Sequence, residues 1–218
     1  MEAGGTRLKT GGNGYGVWLT AIFAVWALAL VWSGAAPFDR ATWAMEVAPV
    51  VIAVPILWWS ARAFPLTKLA LVLIAFHGLV LILGGAYSYA RVPIGFTVQD
   101  WLGMARNPYD RFGHLMQGFV PAIVFRELLI RLSPLRPGKL LSVLVLACAL
   151  SVSALYELIE FGAAMALGQG AEEFLGTQGD VWDTQWDMLM CLIGACLALI
   201  TLSGLHDRQL ASLKEERV

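Results

Sequence analysis

The chain is short of charge. Only 14% of its 218 residues are Asp, Glu, Lys or Arg, against about 25% in an ordinary soluble domain, so a soluble globular protein is excluded. A net charge of −1 leaves no basic surface for nucleic acid. Cysteine is scarce and odd in number. Cys148, Cys191 and Cys196 all lie in apolar stretches with no Cys-x-x-Cys pair, which predicts buried free thiols. No Ser-x-x-Lys, Gly-x-Ser-x-Gly, His-Glu-x-x-His, Walker loop or dinucleotide fingerprint occurs, which removes the common routes to covalent catalysis and nucleotide binding. No internal repeat of 20 to 50 residues is visible. One local absence stands out: residues 156–190 contain seven carboxylates and not one Lys or Arg.

What fills the chain instead is apolar. Hydrophobic residues make up 58%, including nine Trp and ten Phe, and the mean hydropathy is +0.68. A membrane-crossing helix needs roughly 20 mostly apolar residues. Six stretches approach that length: 17–32, 47–60 (with 43–46 before it), 66–86, 114–130, 140–157 and 188–205. They are unbroken rather than alternating, which predicts an all-α bundle of about six transmembrane helices rather than a β-barrel. The expected organisation is a flexible tail over 1–16, one transmembrane domain over 17–206 and a charged tail over 207–218, with His206 a solvated interface residue. A cleaved leader over the first stretch is the alternative, with Arg7 and Lys9 ahead of it and Ser33-Gly34-Ala35-Ala36 behind. The aromatic residues Trp18, Phe23, Trp26 and Trp32 favour a retained helix.

Lys and Arg set orientation. Arg7, Lys9, Arg62, Lys68, Arg126, Arg131, Arg136, Lys139, Arg208, Lys214 and Arg217 fall on one side of six spans, and Arg40, Arg91, Arg106 and Arg111 on the other. Eleven against four predicts cytoplasmic termini and places the loops 33–46, 87–113 and 161–187 outside, in a periplasm or its equivalent. The 27 residues of 87–113 are long enough to carry structure or function.

Three polar clusters then fall at one membrane face. In "YDRFGHLMQGF", Asp110, His114 and Gln117 lie at i, i+4 and i+7 of one helix, with Arg111 beside them. In "YELIE", Glu157 and Glu160 lie near the expected end of the fifth helix, where carboxylates oppose the helix dipole. In "GDVWDTQWDM", Asp180, Asp183 and Asp187 lie at i, i+3 and i+7. Asp180 and Asp183 also suit the cap of the sixth helix, whereas Asp187 sits a turn or more inside. Glu172 and Glu173 read as solvated loop acids.

So many like charges at a membrane boundary require protons, arginine partners or a cation. Arg91, Arg106 and Arg111 are the cations within reach. Oxygen ligands suit Mg²⁺, Ca²⁺ or Mn²⁺, and His114 admits Zn²⁺ or Fe²⁺. The expected metal ligands are Asp180, Asp183, Asp187, Glu157 and His114. His114, Glu157, Glu160 and Asp187 are the catalytic candidates. Asp110, Arg111, Gln117 and the intramembrane His77 are the substrate-binding candidates. Gly84 and Gly85 predict close helix packing.

The segments "GGAYSYARVPIGF", "NPYDRFGHLMQGFVPAIVFRELLIR", "ALYELIEF" and "FLGTQGDVWDTQWDMLMCLIGA" resemble the YjdF-like bacterial inner-membrane proteins over roughly residues 70–200. That resemblance implies a polytopic inner-membrane protein and no assigned reaction. A fainter pattern is similar to the VanZ-like membrane proteins: Asp110-Arg111 before His114, Glu157 before Glu160, and Asp187 before Gly194. Cys191 stands where that pattern has Asn, and Glu160 where it has Gln. The resulting expectation is a cation-dependent site acting on an envelope lipid or another phosphate-bearing small molecule. A proton- or cation-coupled transporter and a non-catalytic envelope-stress factor are the alternatives.

Overall fold

The computed structural model describes residues 12–167 and 178–215. Seven helices account for nearly all of them: α1 (Gly12–Ala35), α2 (Arg40–Ser60), α3 (Lys68–Tyr87), α4 (Pro93–Leu102), α5 (Tyr109–Leu132), α6 (Lys139–Leu167) and α7 (Asp183–Glu215). With no water in a bilayer core, helices satisfy every backbone group internally. Five of them, α1, α2, α3, α6 and α7, are long and apolar enough to cross a membrane. Sequence reading expects six. The remaining long helix, α5, has 24 residues, but its length is interrupted by Asp110, Arg111, His114, Arg126, Glu127 and Arg131. Its charged groups face other helices rather than lipid. Trp58, Trp59, Leu28 and Ile200 instead point outward, each more than half exposed, which is the surface a lipid solvent requires.

Local chemistry sets the helix ends. Asp39 caps α2, its side chain accepting from the Thr42 N–H at 2.7 Å, and that bond holds its carboxyl below the usual value. Thr67 caps α3 in the same way, through Ala70. Residues 87–113 carry α4, which begins with Pro93 and ends at Gly103 in a left-handed conformation (φ 62°).

Helix packing runs through small residues, as the Gly84-Gly85 pair predicts. Gly85 of α3 lies against Glu46, Val47 and Trp43 of α2, and Gly78 leaves room for Trp26 of α1. The Trp26 indole N–H donates to the Ala75 carbonyl at 3.0 Å. The closest approach joins α5 and α7. A Cβ on Gly118 would lie 1.8 Å from the Cys191 carbonyl oxygen, and one on Gly194 would lie 1.9 Å from the Leu115 carbonyl oxygen. These two glycines let the α5 and α7 backbones touch, and that contact positions the site.

Two expected boundaries change. The fifth stretch does not end at Glu157: α6 runs to Leu167, so Glu157 and Glu160 are interior helix residues and do not oppose a helix terminus. His206 is not solvated. The stripe 191, 195, 198, 202 and 206 continues along α7 at helical spacing, and it carries His206 into the bundle with no exposed surface. Glu172 and Glu173 lie outside the described residues. All three cysteines are free, with Cys191 fully buried.

Candidate functional site

The three polar clusters meet. Asp110 lies in the first turn of α5, with His114 one turn on. The α5–α7 glycine contact brings Asp187, in the second turn of α7, alongside them. Glu157 arrives from α6. The His114 Nε2 stands 3.7 Å from Asp110 Oδ1 and 3.9 Å from Asp187 Oδ2, and its Nδ1 stands 3.8 Å from Glu157 Oε1. All four residues are buried. One ligand atom each from Asp110, His114 and Asp187 lies within 4.8 Å of the others.

The His114 ring is oriented by Gln117, whose Oε1 lies 3.0 Å from Nδ1. A carbonyl oxygen only accepts, so Nδ1 carries a hydrogen and Nε2 is the ring atom that faces the two carboxylates of Asp110 and Asp187. Two buried carboxylates this close repel unless a cation or a proton stands between them. Asp187 Oδ1 and Glu157 Oε1 sharpen the imbalance, because neither has a hydrogen-bond partner among the described residues. A pair of like charges at this spacing costs on the order of 3 kcal/mol at an effective dielectric of ~20.

Around this centre the arginines take up the remaining acids. Arg106 pairs with Asp183, with Asp110 at 3.3 Å and with Asp180 at 3.6 Å. Arg111 pairs with Asp180 at 2.6 Å and lies over the Trp186 ring, 4.9 Å from its centroid. Asp180 also closes the turn into α7, its Oδ1 accepting from the Trp182 N–H. Asp180, Asp183 and Asp110 thus all face guanidinium groups, and Asp110, read from sequence as a substrate contact, also stands with His114 and Asp187 in the group that could hold a metal ion. Arg91 is engaged elsewhere, over the Phe38 ring at 4.1 Å. Glu160 is buried one turn further along α6 than Glu157. His77 is half-buried in α3, its Nε2 without a hydrogen-bond partner among the described residues, and it stands outside the close group of Asp110, His114 and Asp187.

Sequence reading misses three members. Glu46 of α2 is buried and accepts from the Tyr156 hydroxyl at 2.8 Å. An acid inside an apolar run is the signal that identifies it, but Glu46 sits at the edge of its stretch and reads as a loop residue. Tyr89, at φ 47°, fits its ring into the space left by Gly84 and Gly113. Burial, then the charge of Glu46, raises its phenol well above the ordinary value, so it stays a neutral O–H. Asn107 is buried and braces the site from below α4, through Val92, Tyr109 and Gln178.

A second buried cluster lies at the other end of α5. Glu127, with no exposed surface, accepts from the Thr67 backbone N–H at 3.0 Å, the Thr67 hydroxyl at 2.7 Å, Arg131 and His206. His206 Nδ1 takes a hydrogen bond from Arg126 at 3.0 Å, and Arg126 pairs with Asp207 at 2.7 Å. Sequence reading counts these arginines only as orientation signals.

Fold and site together define a polytopic helical membrane protein with a buried Asp/His centre. The chain belongs to the family described as "Predicted membrane protein (DUF2238)", whose model matches residues 18–208. It is similar to "Inner membrane protein YjdF" of Escherichia coli (strain K12), with 53% identity over 183 residues, 84% of this chain and 88% of that protein. This bears out the YjdF-like resemblance and places the chain in the inner membrane; no comparison shows the VanZ-like pattern. No solved structure matches it.

Proposed function

We propose that the protein holds a divalent cation at Asp110, His114 and Asp187, at the outward end of a bundle in which α5 also crosses the membrane. The bound centre acts on a phosphate-bearing substrate of the envelope. The observation that carries this reading is the Oδ1 of Asp187, a residue 3% exposed, which has no hydrogen-bond partner among the described residues and lies beside a histidine nitrogen that two carboxylates face. Two ligands on one ion at ~2.1–2.4 Å stand at most about 4.2–4.8 Å apart, so the 4.8 Å spread closes on an ion with little movement. Mixed oxygen and nitrogen donors suit Mn²⁺, Fe²⁺ or Zn²⁺ better than Mg²⁺ or Ca²⁺. Gln117 supplies the outer-shell bond that fixes a ligating imidazole.

A bound ion there would polarise a phosphoryl oxygen. The chain's own groups complete the site. Glu157 Oε1 is a buried acceptor able to take a proton. Arg111, on the half-exposed rim, offers a guanidinium to an anionic group in exchange for Asp180. Outward orientation is supported by the eleven-to-four division of Lys and Arg. Elemental analysis of protein purified in mild detergent tests the reading. It predicts one divalent ion per chain, lost in Asp187→Asn and His114→Ala and retained in Asp180→Asn. A wild-type protein that binds no divalent ion overturns it.

A further inference from the structure

The rim of the site carries an apolar surface that the bundle does not use. In α4, Ile94, Val98 and Trp101 recur at i, i+4 and i+7, while Gln99 and Asp100 occupy the other side. Ile94 is 59% exposed and Trp101 85%. Across the site, the turn before α7 exposes Val181 by 85% and Trp182 by 63%. The two surfaces form one unit. Asn107 donates its side-chain N–H to the Val92 carbonyl at the start of α4, and it fills the space beside Gly95, where a Cβ would lie 1.8 Å from its Oδ1. The Asn107 backbone exchanges two 3.1 Å hydrogen bonds with the Gln178 side chain, which opens that turn. At the turn, Asp180 accepts from the Trp182 N–H and pairs with Arg111, which lies over Trp186.

We infer that α4 and the 181–182 turn lie in the headgroup layer of the bilayer, and that an anionic membrane lipid reaches Arg111 laterally between them. A short helix with one apolar stripe and an exposed Trp is built to lie in the interface plane, where Trp rings sit at headgroup level. The partner is lipid because α4 begins six residues after the end of α3, a helix long and apolar enough to cross a membrane, and exposes Ile94, Trp101 and Leu102 there. Asn107 bonds hold the rim rigidly to α5, so the lipid-facing residues and the polar centre keep a fixed relation. This deepens the cation-site reading by making the substrate a phospholipid headgroup, but the placement of α4 stands without it.

Two measurements test the inference. Nitroxide labels at Ile94→Cys, Trp101→Cys, Val181→Cys and Asp100→Cys are read in bilayers of phosphatidylethanolamine and phosphatidylglycerol. Oxygen is expected to relax labels 94, 101 and 181 several-fold more than a water-soluble nickel complex does, with the order reversed at 100. Equal nickel access at 94 and 101, or shielding from both reagents, overturns the placement. In the second measurement, Mn²⁺-loaded protein is mixed with short-chain phosphatidylglycerol or with inorganic phosphate, and ³¹P line broadening is recorded. Broadening of the lipid signal, lost in Trp101→Asp/Val181→Asp with Mn²⁺ loading unchanged, supports a lipid substrate. Mn²⁺ loading with no lipid broadening, or equal broadening of inorganic phosphate in that variant, overturns it. Failure of Mn²⁺ to bind strikes the cation site instead and leaves the label result to decide the placement.

Discussion

The two ends of α5 hold the same residue types and treat them in opposite ways. His114 and Glu127 are thirteen positions apart, about 20 Å along a helix. At the Glu127 end every charge has an answer: the carboxylate takes two N–H or O–H groups from Thr67, one from Arg131 and one from His206. Arg126 can only donate, so His206 Nδ1 must accept, which leaves Nε2–H to face Glu127. At the His114 end Nδ1 is taken by Gln117, and Nε2 meets the carboxylates of Asp110 and Asp187. A buried network with all partners present is a clamp, here tying the start of α3 to α5 and α7. At the His114 end two buried carboxylates crowd one nitrogen with only Arg106, among the described residues, paired to Asp110, so a proton or, on the proposed reading, a bound cation must relieve the remaining repulsion.

The largest expected effect comes from breaking the contact that supports both ends. Gly118→Leu places side-chain atoms where the Cys191 carbonyl stands, and backbone cannot yield as a side-chain tip does. The cost should exceed the ~1–3 kcal/mol of ordinary overpacking, and size-exclusion profiles in detergent should show loss of folded protein. Next is Glu127→Ala, which strips a common partner from Arg131, His206 and Thr67. It should cost about 3–5 kcal/mol, read as a lowered midpoint in thermal unfolding. Asp187→Asn should do the reverse. Without added ion it relieves repulsion and raises the midpoint, and it abolishes the response to divalent cation, which in the wild type at a hundredfold excess over Kd amounts to ~2.7 kcal/mol. If Glu127→Ala and Asp187→Asn destabilise alike, the two ends are both clamps.

The smallest effect provides a scale. Asp39→Ala should cost ~1 kcal/mol through loss of the α2 cap, with cation binding unchanged. The Asp39 carboxyl is held below its ordinary value of 3.8. Its contribution is therefore complete above the unfolded value and is lost as pH falls through the lower, folded one. Unfolding of the two proteins should converge in strong acid and differ at neutral pH.

How much of this was legible beforehand depends on distance along the chain. Helix existence follows from unbroken apolar runs, and the convergence of Asp110, His114, Glu157 and Asp187 follows from counting spans and placing the Lys/Arg bias. Which acids pair with arginine does not follow. Asp183 and Asp187 sit on the same face of α7, yet one meets Arg106 and the other meets His114, because the depth of each is set by where Gly118 and Gly194 let the backbones touch. The Glu127 cluster was illegible for a related reason. Arg126 and Arg131 look like ordinary flanking charges until His206, 80 residues from Arg126, is carried inward by the length of α7. Glu46 escaped because its partner, Tyr156, is 110 residues away.

The most direct measurement is electron spin-echo envelope modulation on bilayer-embedded protein loaded with one equivalent of Mn²⁺. The account predicts nitrogen coupling from a single imidazole, present in the wild type and in His206→Gln and absent in His114→Ala. Mn²⁺ bound without nitrogen coupling, or coupling that survives in His114→Ala, would contradict it.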